Sequence, residues 1–206
     1  MPITIEEINR TNVHDIDTCN GEFTIDAKLV LHVENGTIGY TVVDAPGTTK
    51  RYAQDHINYA ATIGNPDKTV FLAYADGQFA GQITLGKSWN GYACIESIAV
   101  DLRFRRHGIG KALISQATQW ARKRNLAGVM LETQNNNVNA CKFYERCGFQ
   151  LAGFDTRLYK GIDPETDEIA LYWYLLFDSA RPINATSSCT ETPLPQPGEQ
   201  ADMGTL

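Results

Sequence analysis

Residues 94–123 read CIESIAVDLRFRRHGIGKALISQATQWARK, and this stretch decides the fold. The apolar run that ends at Val100 is typical of a buried strand. A helix is predicted to begin at Ile109, because apolar residues recur there at helical spacing. Those residues are Ile109, Leu113, Ala117, Trp120 and Ala121. A strand, a glycine-containing loop and an amphipathic helix in this order indicate an α/β domain.

The loop between the strand and the helix is predicted to bind an anion. It consists of Arg105, Arg106, His107, Gly108, Ile109, Gly110 and Lys111. Consecutive backbone N–H groups at a helix N-terminus attract phosphate, and glycines let phosphate oxygens approach the backbone. His107 is expected to contribute its backbone N–H group and not acid–base chemistry. From these residues alone, a solvated loop at the start of a helix is an equally good interpretation.

The residues before this stretch predict antiparallel strands. LVLHVENGTIGYTVV carries β-branched residues on both sides of Asn35-Gly36, which is a hairpin signal. The later segment KTVFLAYADGQFAGQITLGKSWNGYACIESIAV contains three strand-like runs separated by Asp76-Gly77 and Asn90-Gly91. This spacing predicts an antiparallel meander. Between the hairpin and the meander, residues 51–62 are predicted to form a helix.

The residues after the first helix alternate between strand and helix. GVMLET is predicted to be a buried strand, and Val138 to Arg146 a second helix that ends at Gly148. FQLAGFD and EIALYWYLLF complete a mixed sheet in one layer with helices packed on it. Residues 1–178 therefore form the predicted domain. Residues 179–206 are rich in Ser, Thr, Pro, Gly and Gln and predict a disordered tail.

Composition narrows the classes of function. A net charge of -6 argues against general nucleic-acid binding and suits a cationic small molecule. The five cysteines are scattered, and neither their spacing nor nearby histidines fit a zinc site. No secretory signal and no apolar run of membrane-spanning length are present, so a cytoplasmic protein without membrane contact is expected.

A second motif follows the GVMLET strand. Asn137 is followed seven residues later by Tyr144, and then by Cys147-Gly148-Phe149. Together with Arg105-x-x-Gly108-x-Gly110, this pattern resembles the GCN5-related N-acetyltransferase (GNAT) superfamily. The resemblance implies a mostly antiparallel mixed sheet with one splayed pair of parallel strands, flanked by helices. It also implies acetyl-CoA as the co-substrate, with no metal.

The resemblance assigns roles to individual residues. Backbone groups of Ile98 and Val100 would bind the pantetheine arm of acetyl-CoA, and Asn137 would contact the same cofactor. Tyr144 would act as the general acid that protonates the departing thiolate. The residues themselves leave simpler interpretations open, because Asn137 is also a good helix N-cap and Tyr144 fits an apolar helical stripe.

Glu96 is the candidate general base, acting directly or through water. An acceptor amine has a pKa of roughly 10 and must lose a proton before it attacks. Glu96 lies in the apolar run ACIESIAV, where desolvation would raise the pKa of its carboxyl group. Strand alternation places it on one face with Ile98 and Val100. The alternative is an exposed residue on the outer face of the strand. Cys94 is not expected to carry an acetyl group, since buried cysteine usually behaves as a small hydrophobe.

Several longer segments resemble the streptothricin acetyltransferases within this superfamily. They are SWNGYACIESIAV, LETQNNNVNACKFYERCGF, LAGFDTRLYKG and EIALYWY. The resemblance implies transfer of acetyl to an amine of the β-lysine arm of streptothricin, by direct attack in a ternary complex. Residues proposed to line the acceptor site are Trp89, Glu96, Glu132, Asp155 and Tyr159. A lysine or N-terminal protein acetyltransferase and a non-catalytic acyl-CoA-binding module remain alternatives, and a homodimer is compatible with the sequence.

Overall fold

The computed structural model describes residues 1–16, 19, 21–50 and 58–177. The predicted tail, residues 179–206, lies outside the described residues. Most of the helix predicted over residues 51–62 also lies outside them. The described part of that segment contains one 3-10 turn at Tyr59–Thr62.

Within the described residues, the chain forms nine strands and two α-helices. The strands are β1 (Ile3–Glu7), β2 (Phe23–Glu34), β3 (Thr37–Lys50), β4 (Lys68–Ala75), β5 (Gln78–Lys87), β6 (Ala93–Val100), β7 (Gly128–Gln134), β8 (Gln150–Asp155) and β9 (Ala170–Leu176). The helices are α1 (Ile109–Lys123) and α2 (Val138–Arg146). The predicted strands and helices on either side of the loop of residues 105–111 are confirmed. Strand β1 was not predicted, because five residues with two isoleucines carry little pattern.

Seven strands form one sheet in the order β1-β4-β5-β6-β7-β9-β8. Strands β6 and β7 are parallel, and the other neighbouring pairs are antiparallel. Strands β2 and β3 form a separate two-stranded hairpin. This arrangement confirms the predicted α/β class, with a mixed and mostly antiparallel sheet.

Two of the predicted turns, Asn35-Gly36 and Asp76-Gly77, have the backbone that their sequences favour. Asn35 and Gly36 have φ angles of 49° and 77°, and Asp76 and Gly77 have 48° and 76°. Two consecutive residues with positive φ are typical of the type I′ turn, whose twist matches that of the flanking strands. The Asn-Gly and Asp-Gly pairs therefore fix the registers of β2–β3 and β4–β5.

Helix α1 packs on the sheet through the face that its periodicity predicted. Leu113, Ala117, Trp120 and Ala121 are buried in one apolar cluster with residues of the central strands. The same cluster contains Tyr144 of α2 and Trp173 of β9. The core therefore holds both helices in fixed positions beside β6 and β7, the pair that runs parallel.

Strand β6 contains a β-bulge at Glu96. In the pairing with β5, Thr84 lies opposite Ser97 and Leu85 lies opposite Ile95, so Glu96 is an extra residue without a partner. Leu85 and Ile95 belong to the buried cluster that contains helix α1. The Ser97 hydroxyl donates to Thr84 Oγ1 over 3.1 Å, so Ser97 points to the opposite face.

The prediction that Glu96 shares a face with Ile98 and Val100 is therefore wrong. Ile98 lies opposite Ile83, which is buried in the core, whereas the Glu96 carboxylate binds Lys68 Nζ of β4 at 2.6 Å. The extra residue shifts the side-chain alternation, so Glu96 points away from that core. Its side chain is 35% exposed and ion-paired, not desolvated and unpaired.

Candidate active site

The parallel pair β6–β7 opens into a gap. The two strands pair only from Ala93 with Val129 to Ile95 with Leu131. Beyond that point β6 stays paired with β5 and β7 stays paired with β9, so each strand turns one unpaired edge toward the gap.

The unpaired edge of β6 presents backbone groups to the gap. The N–H group of Asp101, just after β6, donates to the carbonyl of Ala80 in β5 over 3.0 Å. Backbone N–H and C=O groups of successive residues in a strand point to opposite edges of that strand. The N–H and C=O groups of Ile98 and Val100 therefore face the gap, which is the side that the family resemblance predicts for them.

A cavity of about 770 Å³ extends from this gap to the N-terminus of α1. Its lining includes every predicted cofactor residue except His107, which is exposed outside it. Those lining residues are Ile98, Val100, Arg105, Arg106, Gly108, Ile109, Gly110, Lys111, Asn137 and Tyr144. Two segments that are distant in the sequence, residues 98–111 and 137–147, thus form one concave surface.

The loop before α1 has the shape of an anion-binding site. Arg106 and Gly108 have positive φ angles of 66° and 88°, which turn the backbone sharply before the helix. The first helical hydrogen bond is donated by Ala112 to Gly108. The N–H groups of the residues between them consequently have no acceptor within the helix. A Cβ atom on Gly110 would lie 3.0 Å from the Phe143 ring, so the loop can approach α2 closely only with glycine there.

Arg105 is held by backbone carbonyls. Its Nε donates to the carbonyl of Val100 over 3.1 Å, and its Nη2 donates to the carbonyl of Glu22 over 2.7 Å. The guanidinium therefore ties the loop to the end of β6 while it keeps its positive charge beside the cavity. Arg106 and Lys111 are exposed at the cavity wall.

Asn137 and Tyr144 lie on the α2 side of the cavity. The Asn137 side chain caps α2 by accepting from the N–H group of Ala140 over 3.4 Å, and it also lines the cavity. Tyr144 is 6% exposed and packs against Phe143 and Phe149. Burial raises the pKa of the Tyr144 hydroxyl above its ordinary value, so the phenol stays protonated at neutral pH.

Two carboxylates flank the start of the gap on the face of the sheet opposite to the one that packs against α1 and α2. Glu96 follows the last paired residue of β6, and Glu132 follows the last paired residue of β7. Leu131 and Thr133 are buried on the core side, so Glu132 between them points the opposite way. Burial is the largest cause of the raised pKa of the Cys94 thiol, and the negative charges of both glutamates raise that pKa further. Both carboxylates therefore lie near the Cys94 thiol.

The environments of the two carboxylates differ. Glu96 is paired with Lys68, whereas Glu132 accepts a hydrogen bond from the Tyr159 hydroxyl. Desolvation by surrounding protein raises the pKa of the Glu132 carboxyl, although its side chain still reaches solvent. The Tyr159 hydrogen bond lowers that pKa, and the charge of Glu168 raises it. Glu132 therefore combines a raised pKa with a position beside the gap, whereas the Glu96 carboxylate is held by Lys68.

The remaining predicted acceptor residues lie apart from the gap. Trp89 is 96% exposed and lies between β5 and β6, at the end of β6 away from the loop before α1. Asp155 accepts from the N–H groups of Arg157 and Leu158, over 2.6 and 3.1 Å, and so shapes the turn that carries Tyr159.

The β2–β3 hairpin completes the site with residues that the sequence did not suggest. Phe23 and Thr24 of β2 line the cavity. Lys28 binds Asp167 at 2.8 Å, and Lys50 binds Glu168, so the hairpin is attached to the loop between β8 and β9. No local sequence signal indicates these contacts, because the partners are more than 100 positions apart.

Two further features of the described residues bear on chemistry. They contain no group of three or more His, Cys, Asp or Glu side chains arranged to hold a metal ion. No helix in this part of the chain is long and apolar enough to cross a membrane. No disulfide joins the described cysteines, Cys19, Cys94, Cys141 and Cys147, and burial raises the pKa of Cys141 to about 12.

Comparison of sequences finds close relatives for most of the chain. Residues 40–149 match the model of the acetyltransferase (GNAT) family. The chain is 34% identical over 174 residues to streptothricin acetyltransferase A of Bacillus subtilis (strain 168), which covers 84% of this chain and 99% of that protein. It is 40% identical over 123 residues to streptothricin acetyltransferase of Escherichia coli, covering 60% of this chain and 70% of that protein.

Solved structures give the same family. A Bacillus anthracis (strain Ames) protein assigned as a streptothricin acetyltransferase, in complex with acetyl coenzyme A, is 44% identical with a TM-score of 0.82. The match covers 85% of this chain and all of that one. Nourseothricin acetyltransferase is 31% identical with a TM-score of 0.71, covering 84% of this chain and 98% of that one. The chain therefore belongs to the acetyltransferase (GNAT) family.

Proposed function

We propose that the protein transfers the acetyl group of acetyl-CoA to a primary amine of a small cationic acceptor, by direct attack. The observation that carries this proposal is the gap between β6 and β7. It has a cavity lined by Tyr144 and the loop before α1 on one face of the sheet, and the carboxylate of Glu132 on the other. A donor and an acceptor that enter from opposite faces can meet in this gap without a covalent enzyme intermediate.

The cavity suits coenzyme A in both charge and shape. The N–H groups at the start of α1, with Arg106 and Lys111, would hold the pyrophosphate. The exposed backbone of Ile98 and Val100 would pair with the pantetheine amides, and Asn137 would contact the same arm. Acetyl-CoA supplies an acetyl group activated as a thioester. None of the side chains that line the cavity within the described part of the chain is acidic, which favours a ligand with several negative charges.

Glu132 is the proposed general base, in place of Glu96. The acceptor arrives as an ammonium with a pKa of roughly 10, and its proton must leave before attack. A carboxylate with a raised pKa, beside the gap and on the acceptor face, is suited to take that proton directly or through water. Glu96 is already paired with Lys68 at 2.6 Å. Its proposed role is to add negative charge that attracts the cation.

Tyr144 is the proposed general acid. Burial favours its neutral form, so the hydroxyl holds a proton that it can donate to the departing sulfur. A thiolate left in this largely apolar cavity would be costly. Phe143 and Phe149 fix the ring beside the cavity and so orient the hydroxyl.

The proposed acceptor is streptothricin, acetylated on its β-lysine arm. Similarity over 84% of the chain to a protein named streptothricin acetyltransferase A supports this choice. The acidic residues on the acceptor face and the net charge of -6 also favour a cationic acceptor. Tyr159 contacts Glu132 at the same face and would offer its ring to the acceptor's charge.

The test is a thiol-release assay with acetyl-CoA, in which streptothricin is compared with free lysine and lysine-bearing peptides. We expect the highest kcat/KM with streptothricin. Turnover of peptides alone would replace the acceptor assignment with a protein acetyltransferase. Absence of turnover with every amine, with retained acetyl-CoA binding, would indicate a non-catalytic acyl-CoA-binding module.

A further inference from the structure

Lys68 holds the Glu96 carboxylate away from the gap between β6 and β7. Glu96 lies in β6, and Oε2 of its carboxylate binds Nζ of Lys68, in β4, at 2.6 Å. Strand β5 lies between these two strands, and β7 lies on the other side of β6. The ion pair therefore crosses β5 and draws the carboxylate in the direction opposite to the gap.

Gly86 makes room for this ion pair. It lies in β5, opposite Lys68 of β4 on one side and opposite Cys94 of β6 on the other. A Cβ atom on Gly86 would lie 2.5 Å from Oε1 of Glu96. The carboxylate therefore rests directly over the bare backbone of β5, and a side chain at position 86 would displace it.

The backbone of Glu96 nevertheless lies at the start of the gap. The pairing of β6 with β7 ends at Ile95, so Glu96 is the next residue of β6. The side chains of Lys68 and Glu96 are 34% and 35% exposed, so the ion pair can open to solvent without leaving a charge buried. A change of side-chain rotamer would then turn the carboxylate from β5 toward the gap.

Three charges on the acceptor face act on one thiol. The charges of Glu96 and Glu132 raise the pKa of Cys94, and the charge of Lys68 lowers it, beside the larger effect of burial. All three charges consequently lie near Cys94. A cationic acceptor at Glu132 would meet a second carboxylate whose charge Lys68 already neutralises.

We propose that Lys68 sets the affinity for the acceptor, because it competes with a second cationic group of the acceptor for the Glu96 carboxylate. This inference rests on the proposed function, in which the reacting amine lies at Glu132. The β-lysine arm of streptothricin carries two amino groups, so a second ammonium lies close to the one that reacts. That ammonium takes the place of Lys68 Nζ, and one ion pair is exchanged for another. An acceptor with a single cationic group lacks this exchange and binds more weakly.

The test is calorimetric binding of streptothricin to the full chain with saturating coenzyme A, which has no acetyl group to transfer. Lys68→Met removes the competing cation and keeps an unbranched apolar side chain. We expect the dissociation constant to fall by about fivefold, the upper range for a partly exposed ion pair. In steady-state kinetics the same variant should lower the acceptor KM and leave kcat nearly unchanged.

A double-mutant cycle separates competition from long-range repulsion. In the Glu96→Gln background, Lys68→Met should give a much smaller gain in affinity, because no carboxylate remains to be released. Lys87→Met is the matched control for the loss of one positive charge. Lys87 pairs with Asp67 at 3.7 Å and lies opposite Ala93, which is buried on the core face, so its removal does not release Glu96.

The outcomes also separate this inference from the proposed function. An unchanged or larger dissociation constant for Lys68→Met would overturn the inference. Equal gains from Lys68→Met and Lys87→Met, or from Lys68→Met with and without Glu96→Gln, would overturn it as well, because they would indicate general electrostatic attraction. Each of these results leaves acetyl transfer intact. Absence of streptothricin binding to wild type would instead refute the proposed acceptor, and this inference with it.

Discussion

The Tyr159 hydroxyl donates a hydrogen bond to Oε1 of Glu132. The same hydroxyl accepts from Nε2 of Gln134 over 2.7 Å, so Tyr159 bridges two residues on one face of β7. Tyr159 lies in the 3-10 turn Leu158–Gly161, which follows β8. A turn that is distant in the sequence therefore fixes the carboxylate at the start of the gap between β6 and β7.

Replacing Tyr159 with phenylalanine should move the acid limb of the pH–rate profile to higher pH. Activity requires the Glu132 carboxylate in its ionised form, so the rate falls as pH decreases through its pKa. The Tyr159 hydrogen bond lowers that pKa, and its loss leaves the raising effect of desolvation unopposed. The measurement is kcat/KM against pH for wild type and Tyr159→Phe. A fall in rate at every pH, with the limb in its original place, would show that Tyr159 does not act through Glu132.

Glu132→Gln should lower kcat by about 100-fold or more, the usual contribution of a positioned base. Steady-state kinetics with saturating acetyl-CoA measure this effect. Glu96→Gln is the comparison, because it removes the same charge from the opposite side of the gap. We expect it to raise the acceptor KM more than it lowers kcat. The reverse ranking of the two variants would restore Glu96 as the base.

Tyr144→Phe should lower kcat by roughly 100-fold and leave the dissociation constant of acetyl-CoA nearly unchanged. The substitution removes only a hydroxyl group, and the ring keeps its contacts with Phe143 and Phe149. Binding is measured by calorimetry and kcat by thiol release. An unchanged kcat would exclude Tyr144 as the general acid.

Local sequence patterns predicted most of the fold. The Asn35-Gly36 and Asp76-Gly77 turns and the periodicity of α1 depend on residues within a few positions of one another. The predicted cofactor residues other than His107 do line one cavity, because each motif is a short segment at the end of a strand, and their binding role, which the family resemblance implies, stays a prediction. These features need no knowledge of which segments meet in three dimensions.

The acceptor side could not be predicted in this way. The bulge at Glu96 reverses a side-chain direction that simple alternation assigns, and alternation contains no signal for an extra residue. The pairing of Glu132 with Tyr159 joins segments that only the folded sheet brings together.

Gly108→Ala should weaken coenzyme A binding by up to about tenfold. Gly108 has a φ of 88°, and this left-handed conformation costs a residue with a Cβ atom roughly 1–2 kcal/mol. The strain would distort the N–H groups that precede α1. Gly47→Ala is the control, because an added Cβ there meets open space at an ordinary φ. Calorimetric affinity equal to wild type would show that the loop does not need this conformation to bind.

Asn135→Ala should lower the free energy of unfolding by about 2 kcal/mol, the cost of buried polar groups left without partners. The Asn135 side chain donates to the carbonyl of Leu29 over 3.2 Å and accepts from the N–H group of Ile169 over 2.9 Å. It therefore joins the β2–β3 hairpin to the sheet. Urea unfolding measures the change, with the exposed Asn139→Ala as control. Equal stability of the two variants would mean that the hairpin is held by other contacts.

The most direct test of the account is transfer of a ¹³C-labelled acetyl group from acetyl-CoA to streptothricin, followed by mass spectrometry of the antibiotic and of the protein. We predict one labelled acetyl group on an amine of the β-lysine arm, and an unlabelled protein chain at every time point. Label on a protein residue such as Cys94 before it appears on the antibiotic would contradict direct attack. Unlabelled streptothricin would contradict the proposed acceptor.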